Sequence, residues 1–282
     1  MECRTPPLLD TRTLLRHRPQ SGMAIKSNHE IGSNAIVYTY PSGNVDIVCA
    51  AERQFIGSGW EEVKPDHTKC VPAKREKGKK SEGDDRLRSC RRARANLRRL
   101  ALANDFRWFV TLTLDPAKVD RYDPAAIMKI ANRWLDNMVR RHGLRYILVP
   151  ELHRLRPGET ERAFHFHGFF AGDVAAVDSG HTANGRPVYN LPEWPLGFTT
   201  AQELYGEYSS AVAYVCKYIG KQDGERPMGR WYYSGGKLAA PHKEYVDLDY
   251  RELKEEYCGK AVEFTIPGTK MLVIHTKGED YV

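Results

Sequence analysis

Ala163-Phe164-His165-Phe166-His167-Gly168-Phe169-Phe170-Ala171 reads as a β-strand, and the rest of the chain is ordered around it. Its aromatic content favours a pleated, half-buried surface. Side chains alternate along a strand, so His165 and His167 project to one side, while Phe164, Phe166 and Gly168 make the other side apolar. Upstream, Trp108 to Leu114 is a second strand, ended by Asp115-Pro116. Tyr146 to Val149 is a third, joined to Ala163–Ala171 by a polar Pro-Gly turn over 154–161. Between these two upstream strands, Pro124 to Arg140 is an amphipathic helix with Ile127, Ile130, Trp134, Leu135 and Met138 on its apolar face. Phe198 to Ala201 is a short strand. Ser210 to Lys221 is a helix capped by Ser209 or Ser210, and Trp231–Tyr233 and Lys270–Ile274 are further strands. This order predicts an α+β fold, a central antiparallel sheet with its helices on one face.

Further out, Ala35–Tyr40 and Val45–Ala50 flank Pro41-Ser42-Gly43-Asn44, a hairpin pattern. Residues 64–84 are Lys-rich and read as a basic linker. Arg86 to Leu102 is a helix with Leu87, Cys90, Ala93, Leu97 and Leu100 on one face, and Asp84 and Asp85 favour its N-terminus. Three regions follow: 1–80, an extension with a hairpin and basic linker; 81–240, the catalytic candidate; and 241–282, C-terminal strands or tail.

Composition narrows the class. Apolar residues make up 41% and charged residues 28%, which excludes collagen, coiled coil and extended disorder for the whole chain. No run approaches the roughly 18 apolar residues of a membrane span, and no signal-peptide core opens the sequence. The six cysteines are scattered without a Cys-x-x-Cys pair, which fits the reducing cytosol of a bacterial host. Cys49, His67, Cys70 and Cys90 match no zinc-ligand spacing. The net charge is +7, yet Lys64–Leu100 alone holds 14 basic and 5 acidic residues. So concentrated an excess indicates a polyanion partner, nucleic acid above all.

Three groups of residues carry chemistry. His165 and His167 form a ready metal pair. Glu151 ends the preceding strand, and an antiparallel hairpin would bring it beside them. One carboxylate and two imidazoles suit Mg²⁺ or Mn²⁺ with positions left for water and a phosphate. Tyr214 and Tyr218 are four apart in Tyr214-Val215-Cys216-Lys217-Tyr218-Ile219-Gly220-Lys221 and share a helix face. Lys217 beside a phenol favours the phenolate. A tyrosine oxygen can attack a phosphodiester and later leave, which preserves the bond for rejoining a strand. Taken singly, each group also has a structural reading: a surface glutamate, two solvent-facing histidines, two core tyrosines.

In combination they resemble a known family. Phe109-Val110-Thr111-Leu112-Thr113, then His165-Phe166-His167, then Tyr214-x-x-Lys217-Tyr218 look like the three motifs of the HUH endonucleases, in the branch of rolling-circle replication initiators (Rep). The double tyrosine is similar to that of phage and plasmid initiators. The resemblance covers about residues 85–235. It implies a roughly five-stranded antiparallel sheet related to the RNA-recognition-motif fold. It implies that His165, His167 and Glu151 hold one divalent ion. Tyr214 would nick single-stranded origin DNA, leaving a 5′-phosphotyrosine and a free 3′-OH. Tyr218 would act second, in rejoining, and Lys217 would stabilise charge.

Conjugative relaxases place the tyrosine before the histidines and often use a third histidine; here the tyrosine follows and no third histidine is expected nearby. No phosphate-binding Gly-x-x-x-x-Gly-Lys-Ser/Thr occurs, so unwinding and synthesis fall to a host helicase and polymerase. Arg86, Arg88, Arg91, Arg92, Arg98 and Arg99 would grip DNA phosphates, with Lys221, Arg230 and Trp231 as further strand contacts. The alternatives are a related HUH transposase or relaxase, and a DNA-binding protein without catalysis.

Overall fold

Two antiparallel sheets organise the chain, each in its own compact unit. The computed structural model describes residues 32–53, 82–155, 160–204, 208–219, 226–266 and 268–276. The described residues before 54 and from Pro241 onward form one unit, and those from 82 to Ala240 form the other. The secondary structure is α+β, with four helices among the described residues.

The first unit contains β1 (Ala35–Thr39), β2 (Val45–Ala50), β10 (His242–Val246), α4 (Tyr250–Glu256), β11 (Val262–Ile266) and β12 (Thr269–Thr276). Its strand order is β10-β1-β2-β12-β11. The expected hairpin forms, with Ala35 opposite Cys49. Beyond it, β1 pairs with β10 and β2 with β12, so the sheet joins segments far apart in sequence. Ala35, Val45, Ile47, Cys49, Leu272 and Ile274 bury one face against Leu253 of α4. Asp249 caps α4, its Oδ1 accepting from the Arg251 and Glu252 amides. Asn34 ties the segments together: its Nδ2 donates to the Ala50 and Leu248 carbonyls, and its Oδ1 accepts from the Leu248 amide.

The second unit holds α1 (Glu82–Leu102), β3 (Trp108–Leu112), α2 (Pro124–His142), β4 (Arg145–Leu152), β5 (Phe164–Ala171), β6 (Val177–Ala183), β7 (Arg186–Asn190), β8 (Thr199–Glu203), α3 (Tyr208–Cys216) and β9 (Tyr233–Gly235). Its seven strands run in the order β6-β7-β8-β3-β5-β4-β9. That is two more than the resemblance implied, and the added β6–β7 hairpin turns at Asn184 and Gly185, both at positive φ. At the centre, Gly168 of β5 lies so close to β4 that a Cβ would run into the Ile147 carbonyl.

The two faces of this sheet are both covered, which corrects the expectation of helices on one side. Trp108, Val110, Leu112, Leu148, Phe166 and Phe170 pack against Ile127, Ala131, Leu135 and Met138 of α2. The capping of α2 follows its sequence: Asp123 accepts from the Ala125 amide, Pro124 opens the first turn, and Gly143 closes it at φ 61. On the opposite face, Phe169 meets Phe106 and Tyr208, and Phe109 meets Tyr214, so α3 lies there; the Tyr208 hydroxyl donates to the Ala101 carbonyl of α1. The physical reason is β5 itself, which carries phenylalanines on both faces, and a strand with two apolar faces has to be covered twice. Two helix positions also differ from expectation. Leu87 and Ile130 are exposed, at the margins of their apolar stripes, where the buried residues of α1 include Cys90, Ala93 and Leu97.

Candidate metal and tyrosine site

Strand register builds the first half of the site. β4 runs on past Val149, so Glu151 lies directly opposite His165, and Val149 opposite His167. Pro150 is tolerated there because β9 pairs only with Tyr146–Leu148, and among the described residues no strand pairs with the outer edge of β4 at that point. The long connection does not shift the register. The His153 amide donates to the Ala163 carbonyl, and Arg162 Nε donates to the His153 carbonyl.

The ligand atoms converge. The two histidine Nε2 atoms are 2.8 Å apart, and Glu151 Oε2 is 3.1 Å from each. Glu151 and His165 are buried, at 6% and 5% exposure. Among the described residues these three form a group whose ligand atoms all lie within 4.8 Å of one another. Buried carboxylates and imidazoles require a compensating charge or proton, and this donor set fits a divalent cation. His167 Nδ1 lies 3.0 Å from Thr111 Oγ1, whereas the buried His165 Nδ1 has no hydrogen-bond partner among the described residues. Instead, the ring of His153 stacks on His165 with centroids 3.8 Å apart. A third histidine is therefore adjacent to the pair, contrary to expectation. The alternation that marks His165 and His167 also marks Glu151 and His153, and that signal was present in the sequence.

The tyrosines occupy the same face. α3 begins at Tyr208 and ends at Cys216, so neither Ser209 nor Ser210 is its cap, and Lys217 to Ile219 continue as a turn. The Lys217 and Tyr218 amides donate to the carbonyls of Tyr214 and Val215, the tighter i to i+3 pattern of a closing helix. Arg94 of α1 terminates it by donating from Nε to the Ile219 carbonyl. The Tyr218 ring stacks on His167 at 4.1 Å and 15°. Its hydroxyl donates to that of Tyr214 at 2.6 Å. Tyr214 is 49% exposed and meets Phe109 edge-on. Lys217 is exposed. Burial first, then the bond to Tyr214, then the charges of Tyr214 and Glu151 push the Tyr218 hydroxyl well above the usual phenol range. For Tyr218 the shift thus runs opposite to the phenolate expected from a neighbouring lysine.

The basic candidates separate into groups. Arg86, Arg88, Arg91 and Arg92 are exposed on α1, Arg88 pairing with Asp85 at 2.6 Å. Arg98 and Arg99 are half-buried. Burial pushes the Cys216 thiol up to about 11, partly offset by Arg98 and Arg94, so these two arginines lie near α3. Trp231 is 8% exposed and donates to Ser89, so its indole belongs to the packing; this corrects the expectation that it stacks on DNA. Arg230 lines a cavity of about 470 Å³ with Tyr146 and Tyr233, whose side chains leave the sheet on the α2 face, away from the ligand cluster. Lys221 lies outside the described residues.

With this geometry in place, one comparison is informative. Residues 107–223 match the family of replication-associated protein ORF2. The match runs from β3 to just beyond α3 and so spans both the ligand cluster and the two tyrosines. It associates the chain with DNA replication and with DNA as a partner. No curated protein and no solved structure matches the chain significantly. No helix among the described residues is long and apolar enough to cross a membrane.

Proposed function

We propose that the chain is a replication initiator that nicks and rejoins single-stranded origin DNA through a tyrosine. The observation that carries this reading is Tyr218 stacked on His167 and hydrogen-bonded to Tyr214, within the replication-associated segment. Glu151, His165 and His167 would hold Mg²⁺ or Mn²⁺, and a bound divalent ion polarises a phosphate oxygen and orients the phosphodiester. Tyr214, half exposed to an incoming strand, supplies the attacking oxygen. Its phenolic O–H loses a proton as an O–P bond forms. The P–O3′ bond breaks, and the 3′ oxygen takes up a proton as it leaves. The products are a 5′-phosphotyrosine and a free 3′-OH. Tyr218 donates to the Tyr214 oxygen and thereby supports the charge that develops on it.

For rejoining, the roles exchange. Tyr218 attacks the newly made origin, and the 3′-OH so released displaces Tyr214 from its phosphate. Lys217 supplies positive charge near the phosphate. The exposed arginines of α1 hold the DNA backbone without reading bases. A host polymerase extends the 3′-OH, and a host helicase opens the duplex.

The test is incubation of single-stranded DNA from the element that encodes the chain with protein and Mn²⁺, followed by a denaturing protein gel. A slow-migrating DNA–protein band that disappears with EDTA and with Tyr214→Phe is expected. Cleavage with a free 5′-phosphate and no adduct would indicate a hydrolase. Binding that persists in EDTA, with no cleavage of any origin-containing strand, would indicate a DNA-binding protein.

A further inference from the structure

The motif Phe109–Thr113 has no role in the chemistry above, yet it borders the ligand cluster. We propose that Thr111 is a positioning residue that holds His167 in the one tautomer able to bind the ion. The inference rests on the metal reading of Glu151, His165 and His167 and assigns this strand its part in that reading.

Thr111 of β3 lies directly opposite His167 of β5, and both side chains leave the same face of the sheet. Thr111 Oγ1 is 3.0 Å from His167 Nδ1. A neutral imidazole carries one N–H. When that hydrogen is on Nδ1 and is donated to Thr111, the Nε2 lone pair is directed at Glu151 Oε2 and His165 Nε2. In the other tautomer the hydrogen sits on Nε2 and blocks the ligand position. The hydrogen bond at Nδ1 therefore selects the ligating form, as outer-shell partners of metal-binding histidines generally do. Ring contacts hold the imidazole plane as well. Tyr218 stacks at 4.1 Å and 15°, and Phe109 lies nearly parallel at 6.2 Å and 4°. Phe109 also touches Tyr214, so one strand contacts both the ligand and the nucleophile pair.

The other threonine of the motif has a different role. Thr113 Oγ1 donates to the Phe198 carbonyl at 2.8 Å, a bond between backbone segments. The two threonines are thus a matched pair for an experiment. Thr111→Val keeps the shape and the strand preference and loses the hydroxyl; Thr111→Ser keeps the hydroxyl; Thr113→Val removes a hydroxyl elsewhere on the same segment.

The experiment is titration of Mn²⁺ into the full chain by calorimetry, with ring ¹⁵N chemical shifts of His167 recorded without metal. Thermal unfolding of each variant serves as the check on folding. Thr111→Val is expected to weaken Mn²⁺ binding by roughly 10–100-fold and to give a mixed His167 tautomer. Thr111→Ser should retain most of the affinity, and Thr113→Val all of it. Wild-type affinity and an unchanged tautomer in a folded Thr111→Val would overturn the proposal and leave the metal reading intact. A wild-type chain that binds no Mn²⁺ would overturn both.

Discussion

Glu151 carries the sharpest residue-level consequence. Its carboxylate is the acidic member of the cluster, equidistant from two imidazoles. Glu151→Gln retains size and one carbonyl oxygen but removes the charge. The variant should bind Mn²⁺ much more weakly and form no covalent adduct, while its affinity for single-stranded DNA stays near wild type. Calorimetry, the denaturing gel and fluorescence anisotropy check the three parts, and full adduct formation would remove Glu151 from the ligand set. At this scale the sequence was most legible. The i, i+2 spacing of His165 and His167 and the strand-end position of Glu151 depend only on the pleat and on one hairpin pairing. The stack of Tyr218 on His167 was not legible, because it depends on where α3 ends, and that end involves a hydrogen bond from Arg94, far away in sequence.

Among the elements, α1 divides its arginines between two tasks. Arg94 and Arg98 lie by the tyrosine helix, whereas Arg91 and Arg92 are exposed. Replacing Arg91 and Arg92 with glutamine should weaken DNA binding and flatten its salt dependence. On single strands, the slope of log affinity against log salt should fall by about 0.7 for each phosphate that is no longer neutralised. An unchanged slope would assign that face of the helix to structure alone. Helical periodicity located α1, but it could not separate the two sets of arginines, since both lie outside the apolar stripe. The β6–β7 hairpin was missed for another reason. Its strands are largely exposed and polar, so they lack the alternation that marks a half-buried strand, even though Asn184-Gly185 is a strong turn signal.

For the molecule as a whole, the five-stranded unit lies outside the segment matched to the replication-associated family. It depends on pairings between residues roughly two hundred positions apart, which no local pattern announces. Asn34 bridges several of these segments at once, bonding to Ala50 and to Leu248. Asn34→Ala leaves the buried carbonyls and amide unsatisfied and should reduce stability by about 1–3 kcal/mol, read from urea unfolding of that unit. An unchanged midpoint would show that water replaces the side chain without loss.

One measurement bears most directly on the chemistry: isolation of the covalent product from single-stranded origin DNA and Mn²⁺, protease digestion, and mass spectrometry of the peptide bearing residues 214–218. The expected result is a nucleotide joined through a 5′-phosphate to Tyr214, moving to Tyr218 when Tyr214 is phenylalanine and a rejoining substrate is supplied. Cleaved DNA with a free 5′-phosphate and an unmodified Tyr214–Tyr218 peptide would contradict the tyrosine mechanism.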